Sequence, residues 1–398
     1  MKKILFVYTD FFAIHDIAWA FLELEYEMEF FDEKFLSYRS NPELADALST
    51  HLEQGDYWFV LSYNFCADLS KVCEKKKLPY VCWTYDCLMM PMHTKQIASP
   101  YNFTHVFDSE EYRIVKKDFE PLHLYYMPLA ANLSRLGGTV ITEEDERKFS
   151  SEVSFVGNLY DTDEYQQLED KNALPPPVQE FFHYLFDYYT GKWTDESIYD
   201  CLDANTCQVL NQILPVGLLN KYEIDDAYYL AFTLLGRKIA NLDRMLVLRS
   251  LSERFPVSLF GPVKELDFPV IQKGLVEYST EFVKVAYLSK INLHLTIPRI
   301  INGVSLRCFD IMGSGGFLMA NYRRDMLDLF VPGEDFVMYS DIDDLIRKTE
   351  YYLKHDEERE QIARNGFMKV ASRHTCIHRA KEMVQHLEEA GYGLGCNP

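Results

Sequence analysis

Short, wholly apolar runs alternating with stretches of helical periodicity constrain this chain more than any other feature. Ile4–Tyr8 has no polar side, the pattern of a strand covered on both faces in a parallel sheet. Helical spacing follows over Ile14–Leu24, then a short strand near Met28–Phe31 and a helix opened by Asn41-Pro42 and running to Glu53. The alternation continues with strands at Tyr57–Leu61, Tyr80–Trp83, Thr104–Phe107 and His123–Tyr126, and helices at Cys66–Lys76 and Glu110–Lys117. It resumes after residue 150 with strands Val153–Val156, Val257–Phe260, one near Leu275, Ile291–Ile297, Phe317–Ala320 and Phe336–Tyr339. Helices are predicted at Thr280–Leu288, Ser305–Met312, 341–355, 357–372 and about 376–389. Strands separated by helices at this spacing imply parallel sheets with crossover connections.

The chain has 398 residues, more than a single core of roughly 250–300 residues usually organises. Two doubly wound α/β domains are therefore expected: 1–132 and 151–373, joined by a polar, Gly-containing linker at 133–150. Residues 160–250 break the alternation with Pro175-Pro176-Pro177 and helix-like stretches at 178–190, 195–213 and 221–251, which reads as a helical insertion in the second domain. The last helix, about 374–398, is expected to pack back on the first domain. Two Rossmann-like domains facing across a cleft would place a ligand site there.

Charge and cysteine use narrow the function classes. A net charge of −21 with pI near 5.0 disfavours nucleic-acid and anionic-membrane partners. No run of 18 or more apolar residues exists to span a membrane. The apolar start is interrupted by Asp10 and His15-Asp16, with no small-residue cleavage site after it. The nine cysteines form no C-x-x-C, and Cys82/Cys87 and Cys201/Cys207 lack histidines at zinc-like spacing, so reduced thiols in a cytoplasmic protein are expected.

Asn302–Asn321 reads N-G-V-S-L-R-C-F-D-I-M-G-S-G-G-F-L-M-A-N and concentrates the chemistry. It follows an apolar strand and carries a carboxylate (Asp310), a fixed cation (Arg307) and the glycines Gly313, Gly315 and Gly316. Turns after strand C-termini form the ligand crevice of doubly wound domains. A carboxylate there accepts ribose hydroxyls, while helix N-termini, bare N–H groups and an arginine hold a diphosphate. G-S-G-G also fits a helix C-cap followed by a strand start, with no phosphate contact. Arg307 alternatively pairs with Asp310 on the helix surface.

The segments W-T-Y-D-C (Trp83–Cys87), H-V-F-D (His105–Asp108), Y-Y-M-P-L-A (Tyr125–Ala130), S-F-V-G-N-L-Y (Ser154–Tyr160), L-G-R-K-I (Leu235–Ile239), R-C-F-D-I-M-G-S-G-G-F-L, I-A-R-N-G-F (Ile362–Phe367) and H-T-C-I-H-R (His374–Arg379) together resemble the CgeB-like (spore-maturation) family of bacterial glycosyltransferases. The resemblance spans nearly the whole chain and implies the GT-B fold. Many donor domains of that fold carry E-x7-E, whose second Glu grips the nucleotide ribose. The matching positions here are Asn302 and Asp310. The ribose role passes to Asp310, whereas Asn302, beside Gly303, departs from the pattern and leaves retaining or inverting stereochemistry open. The resemblance further implies that Gly157-Asn158 lies beside the donor phosphates. Phe260-Gly261 and Val276-Glu277-Tyr278 would flank the base.

General-base catalysis needs a carboxylate or histidine within reach of the acceptor hydroxyl. Asp86, at the end of a strand, is the first candidate, followed by Asp10 and His15 beyond the first strand. Asp86 could equally cap the next helix. The histidines His93, His105, His374 and His378 make no ligand set, so no metal site and no cofactor beyond the donor are expected. The resulting expectation is a metal-independent glycosyltransferase using a nucleotide diphosphate donor, UDP-linked, with a protein or surface-glycan acceptor. A sugar-nucleotide epimerase and a non-catalytic nucleotide-sugar-binding scaffold are the rival readings, and self-association stays open.

Overall fold

The computed structural model describes residues 3–8, 14–32, 42–161, 164–213 and 222–393. They divide into two units. One contains the described residues up to Asn132 together with those from Arg373 onward, and the other is Leu133–Ser372.

Among the described residues of the first unit, six strands pair in parallel: β1 (Lys3–Tyr8), β2 (Met28–Asp32), β3 (Tyr57–Tyr63), β4 (Tyr80–Trp83), β5 (Asn102–Val106) and β6 (His123–Tyr126). Their order is β2-β1-β3-β4-β5-β6. Helices α1 (Ile14–Glu23), α2 (Pro42–Leu52), α3 (Ala67–Lys76) and α4 (Ser109–Phe119) connect them. The absence of a polar face on β1 has a direct cause. Leu5 and Val7 pack with Leu44, Leu48, Val60 and Val72, while Phe6 meets Tyr63 edge-on at 5.6 Å. Each such fully buried side chain contributes roughly 1.5–3 kcal/mol. The chain returns to this unit through the C-terminal helix, Cys376–Glu389, capped by a Thr375–His378 capping box. Arg379 Nε donates to the Pro128 carbonyl at 2.7 Å.

In the second unit the described chain runs through α5 (Leu133–Gly137), α6 (Glu143–Phe149), β7 (Ser151–Val156), α7 (Glu164–Asp170), α8 (Pro176–Tyr189), α9 (Ala204–Ile213), α10 (Asp226–Tyr229), a π-helical turn at Leu230–Leu235, and α11 (Gly236–Ser252). Then come β8 (Val257–Phe260), β9 (Ile271–Gln272), α12 (Phe282–Leu288), β10 (Ser289–His294), α13 (Leu306–Gly313), β11 (Leu318–Asn321), α14 (Arg324–Leu329), β12 (Val337–Tyr339), α15 (Ile342–Lys354) and α16 (Asp356–Arg373). The six strands are parallel in the order β12-β11-β10-β7-β8-β9. Val153, Phe155, Val247, Leu259, Ile291, Met319 and Leu345 share one core. A buried polar ladder fixes the register: Ser154 Oγ donates to Asn292 Oδ1 at 3.1 Å, and Asn292 Nδ2 donates to the Ala286 carbonyl at 2.8 Å.

Residues 133–150, read from the sequence as a polar linker, carry α5 and α6. Thr142 and Asp145 form a capping box, Phe149 is buried against Phe260 and Val285, and Asp145 pairs with Lys284. The strand expected near Leu275 is instead the two-residue β9, and Leu275 itself is exposed.

Candidate functional site

In each sheet the chain starts at an inner strand, adds neighbours on one side and then crosses to the other. In the second unit that reversal lies between β7 and β10, so their carboxyl ends border the crevice where such sheets hold ligands. The turn after β7 contains Gly157 and Asn158. Asn158 Oδ1 accepts the Tyr160 N–H at 2.8 Å, and Gly157 N–H bonds the Phe260 carbonyl at 3.0 Å. A Cβ at Gly261 would run into the Gly157 carbonyl oxygen, which is why the turns after β7 and β8 approach so closely only with glycine there.

At the end of β10 a positive cluster appears. His294 Nε2 is 2.8 Å from Ser305 Oγ, the N-cap residue of α13. Burial first, then Arg307, Arg244 and Arg323, pull the His294 imidazole down to about 3, so it is neutral at pH 7. Buried Arg244 donates to the Ala240 and Leu295 carbonyls at 3.0 Å each, and its guanidinium lies 4.6 Å from the Tyr160 ring centre. Arg323 donates to the Thr296 carbonyl at 3.0 Å. These carbonyl bonds orient both guanidinium groups at the end of β10. Asp243 is the neighbouring anion, and burial raises its carboxyl to about 6, against the pull of Gly191 N–H, Trp193, Arg244 and Arg323. Three arginines beside the N-terminus of α13 make a locus suited to an anion.

Asp310 lies within α13 and is fully buried. Its Oδ1 accepts from Arg135 Nη2 at 3.1 Å and its Oδ2 from the Tyr278 hydroxyl at 2.6 Å. The Arg135 guanidinium also covers the Tyr278 ring at 4.4 Å. Arg307 stacks on Phe282 at 4.1 Å and faces Tyr278 at 5.8 Å. Tyr278, Arg307 and Asp310 are therefore assembled, with Arg135 as a member that no spacing in the sequence announces. Asn302 and Gly303 precede α13. The Asn302 carbonyl accepts the Asp325 N–H at 3.1 Å, and Asn302 lines a cavity of about 90 Å³ together with Trp193, Asp243, Tyr322 and Arg323.

Gly315 and Gly316 sit where α13 ends and β11 begins, at the amino end of that strand, whereas the crevice borders the carboxyl ends of β7 and β10. Gly315 takes φ +78° as a left-handed helix stop. A Cβ at Gly316 would strike the Ala286 carbonyl oxygen. Both serve the helix-to-strand turn.

In the first unit Asp86 is half-buried after β4. Asn64, at φ +57° after β3, clamps it: Oδ1 accepts the N–H groups of Tyr85 at 2.8 Å and Asp86 at 3.1 Å, and Nδ2 donates to Asp86 Oδ2 at 2.9 Å. Asp86 thus receives a hydrogen bond from the neighbouring strand end. His15 is exposed in the first turn of α1, whereas adjacent Asp16 is buried and accepts from Asn132 Nδ2 at 2.9 Å. Asp10 lies outside the described residues. Among the described residues no group of three or more His, Cys, Asp or Glu side chains is arranged to hold a metal ion, and no helix is long and apolar enough to cross a membrane.

A family profile described as glycosyl transferase-like matches residues 242–385, a stretch that includes His294, Arg307, Asp310 and Arg323. Comparison with curated protein sequences found no match. Among solved structures, the chain is similar to sucrose-phosphate synthase from Thermosynechococcus elongatus (TM-score 0.55, 10% identity, covering 98% of this chain and 99% of that one). It is similar also to T4 phage BGT in complex with its UDP-glucose substrate (0.52, 10%, 98% and 99%). A third likeness is to Anabaena Alr3699/HepE in complex with UDP and glucose (0.51, 11%, 98% and 100%). At such identities the likeness is one of fold: two six-stranded parallel α/β units of the GT-B glycosyltransferase type.

Proposed function

We propose that the chain is a group 1 glycosyltransferase, CgeB-like, that moves a sugar from a UDP-linked donor bound by the second unit to a protein or surface-glycan acceptor in the cytoplasm. The observation that carries this reading is that Arg244 and Arg323 bond the carbonyls just after β10 while Arg307 stands in the first turn of α13. Breaking the bond from sugar to diphosphate leaves negative charge on the departing oxygens. Preorganised guanidinium and N–H groups would stabilise that charge without a metal ion. Gly157, Asn158 and Gly303 would border the diphosphate, and Gly261 and Tyr278 the base. Asp310 would take the ribose hydroxyls, whose O–H groups would replace the donors now supplied by Arg135 and Tyr278. Asp86 is the proposed base for the acceptor hydroxyl. The UDP and UDP-glucose bound to structural neighbours support the donor class, as does the glycosyl transferase-like profile.

Thermal shift with UDP and UDP-glucose tests the reading, because a ligand at 100 times its Kd stabilises by about 2.7 kcal/mol. The wild type should shift in the presence of EDTA. Arg307→Gln and Asp310→Ala should each weaken binding by about 1–3 kcal/mol. No shift with any UDP-sugar would end the proposal. Binding without turnover in the presence of acceptors would favour the scaffold reading, which the neutral Asn302 makes specific.

A further inference from the structure

Helix α8 in the insertion carries an aromatic face that the donor site does not use. Its inner side is Phe182, Leu185 and Phe186. Tyr184 and Tyr188, one turn apart on the outer side, are 62% and 40% exposed. Their rings lie 6.2 Å apart and 25° from parallel, an exposed aromatic pair that forms a short strip along the helix. The strip continues into residues 190–198: the Lys192 ammonium lies 4.9 Å over the Tyr188 ring, and the Tyr188 hydroxyl donates to Glu196 Oε2 at 3.0 Å. That segment is held firmly. Asp243 accepts from Gly191 N–H at 2.7 Å and from Trp193 Nε1 at 3.1 Å, Trp193 N–H bonds the Ser340 carbonyl, and the Tyr322 hydroxyl donates to Asp195 at 2.6 Å. The same segment walls the crevice cavity with Asn302 and Arg323.

We infer that Tyr184 and Tyr188 form the binding strip for a glycan chain, the acceptor class, which reaches the crevice along residues 190–198. Sugar rings present C–H faces that lie against aromatic faces and hydroxyls that meet the charged rim of Asp187, Lys192 and Glu196. An apolar peptide or lipid would desolvate those exposed charges without pairing them. A nucleic acid would meet Asp187, Glu196 and a net charge of −21. The inference rests on the transferase reading for the glycan's role as acceptor, not for its binding.

The test is a printed oligosaccharide array followed by calorimetric titration of the strongest binder. The wild type should bind at least one class of oligosaccharide. The double variant Tyr184→Ala/Tyr188→Ala, with unchanged circular dichroism and UDP shift, should lose roughly tenfold or more in affinity. Tyr184→Phe/Tyr188→Phe, which keeps both rings, should stay close to wild type. No array binding by the wild type, or undiminished binding by the alanine variant, overturns the inference. A wild type that binds glycan but gives no UDP shift would sink the donor reading alone.

Discussion

Gly261→Ala adds one methyl group where two turns touch, and the Gly157 carbonyl has no room to yield without moving β7. It is predicted to destabilise the protein by about 1–3 kcal/mol in urea unfolding, and to reduce the nucleotide shift along with stability. Gly137→Ala, with nothing within 4 Å of the added carbon, should do neither. Asp86→Asn keeps an oxygen to accept from Asn64 but removes the base. Turnover should fall by roughly 10²–10⁴-fold while the UDP-glucose shift holds, and full activity would clear Asp86. The sequence makes Arg307 and Asp310 legible because residues three apart on one helix share a face. Arg135, Arg244 and Arg323 escape it, since no local spacing relates residue 135 to residue 310, or residue 244 to a carbonyl at 295.

The C-terminal helix is held to β5 and β6 by stacked rings. His386 stacks on Tyr125 at 3.7 Å and lies 5.3 Å from the His105 ring, and His105 Nε2 is 3.1 Å from His386 Nδ1. Burial, then His386, lowers His105 to about 3, and burial lowers His386 against the opposing pull of Glu389 and Glu382. Both folded values lie below the ordinary 6.5, so this contribution is complete above pH 6.5 and is lost as pH falls from there toward 3. Hydrogen exchange of 376–389 should therefore quicken as pH drops through 6 to 4, after correction for the intrinsic rate. His105→Gln should flatten that dependence, and an unchanged profile would refute it. Helix and strand types were legible at this scale from apolar runs and period 3.6. The helices at 133–150 were missed because charge and glycine outweighed the T-x-x-D cap at Thr142, and β9 was displaced because two residues are too few to show a period.

Each unit carries its own core. A fragment of residues 133–372 is predicted to fold cooperatively by itself and to keep the UDP shift. Non-cooperative melting of that fragment would contradict the division. Alternation alone made two parallel sheets legible, because a parallel strand needs a crossover, but strand order stayed hidden since periodicity names no neighbour. The return of the last helix to the first unit has a consequence in time. On the ribosome, at roughly 5–20 residues per second, β1 through β6 wait some tens of seconds, while all of 133–372 is made, before Arg379 reaches the Pro128 carbonyl and His386 reaches Tyr125. Until then the surface of β5 and β6 that the last helix covers is bare to the cell, so a nascent chain stalled in that interval is the form most exposed to chaperones and proteases.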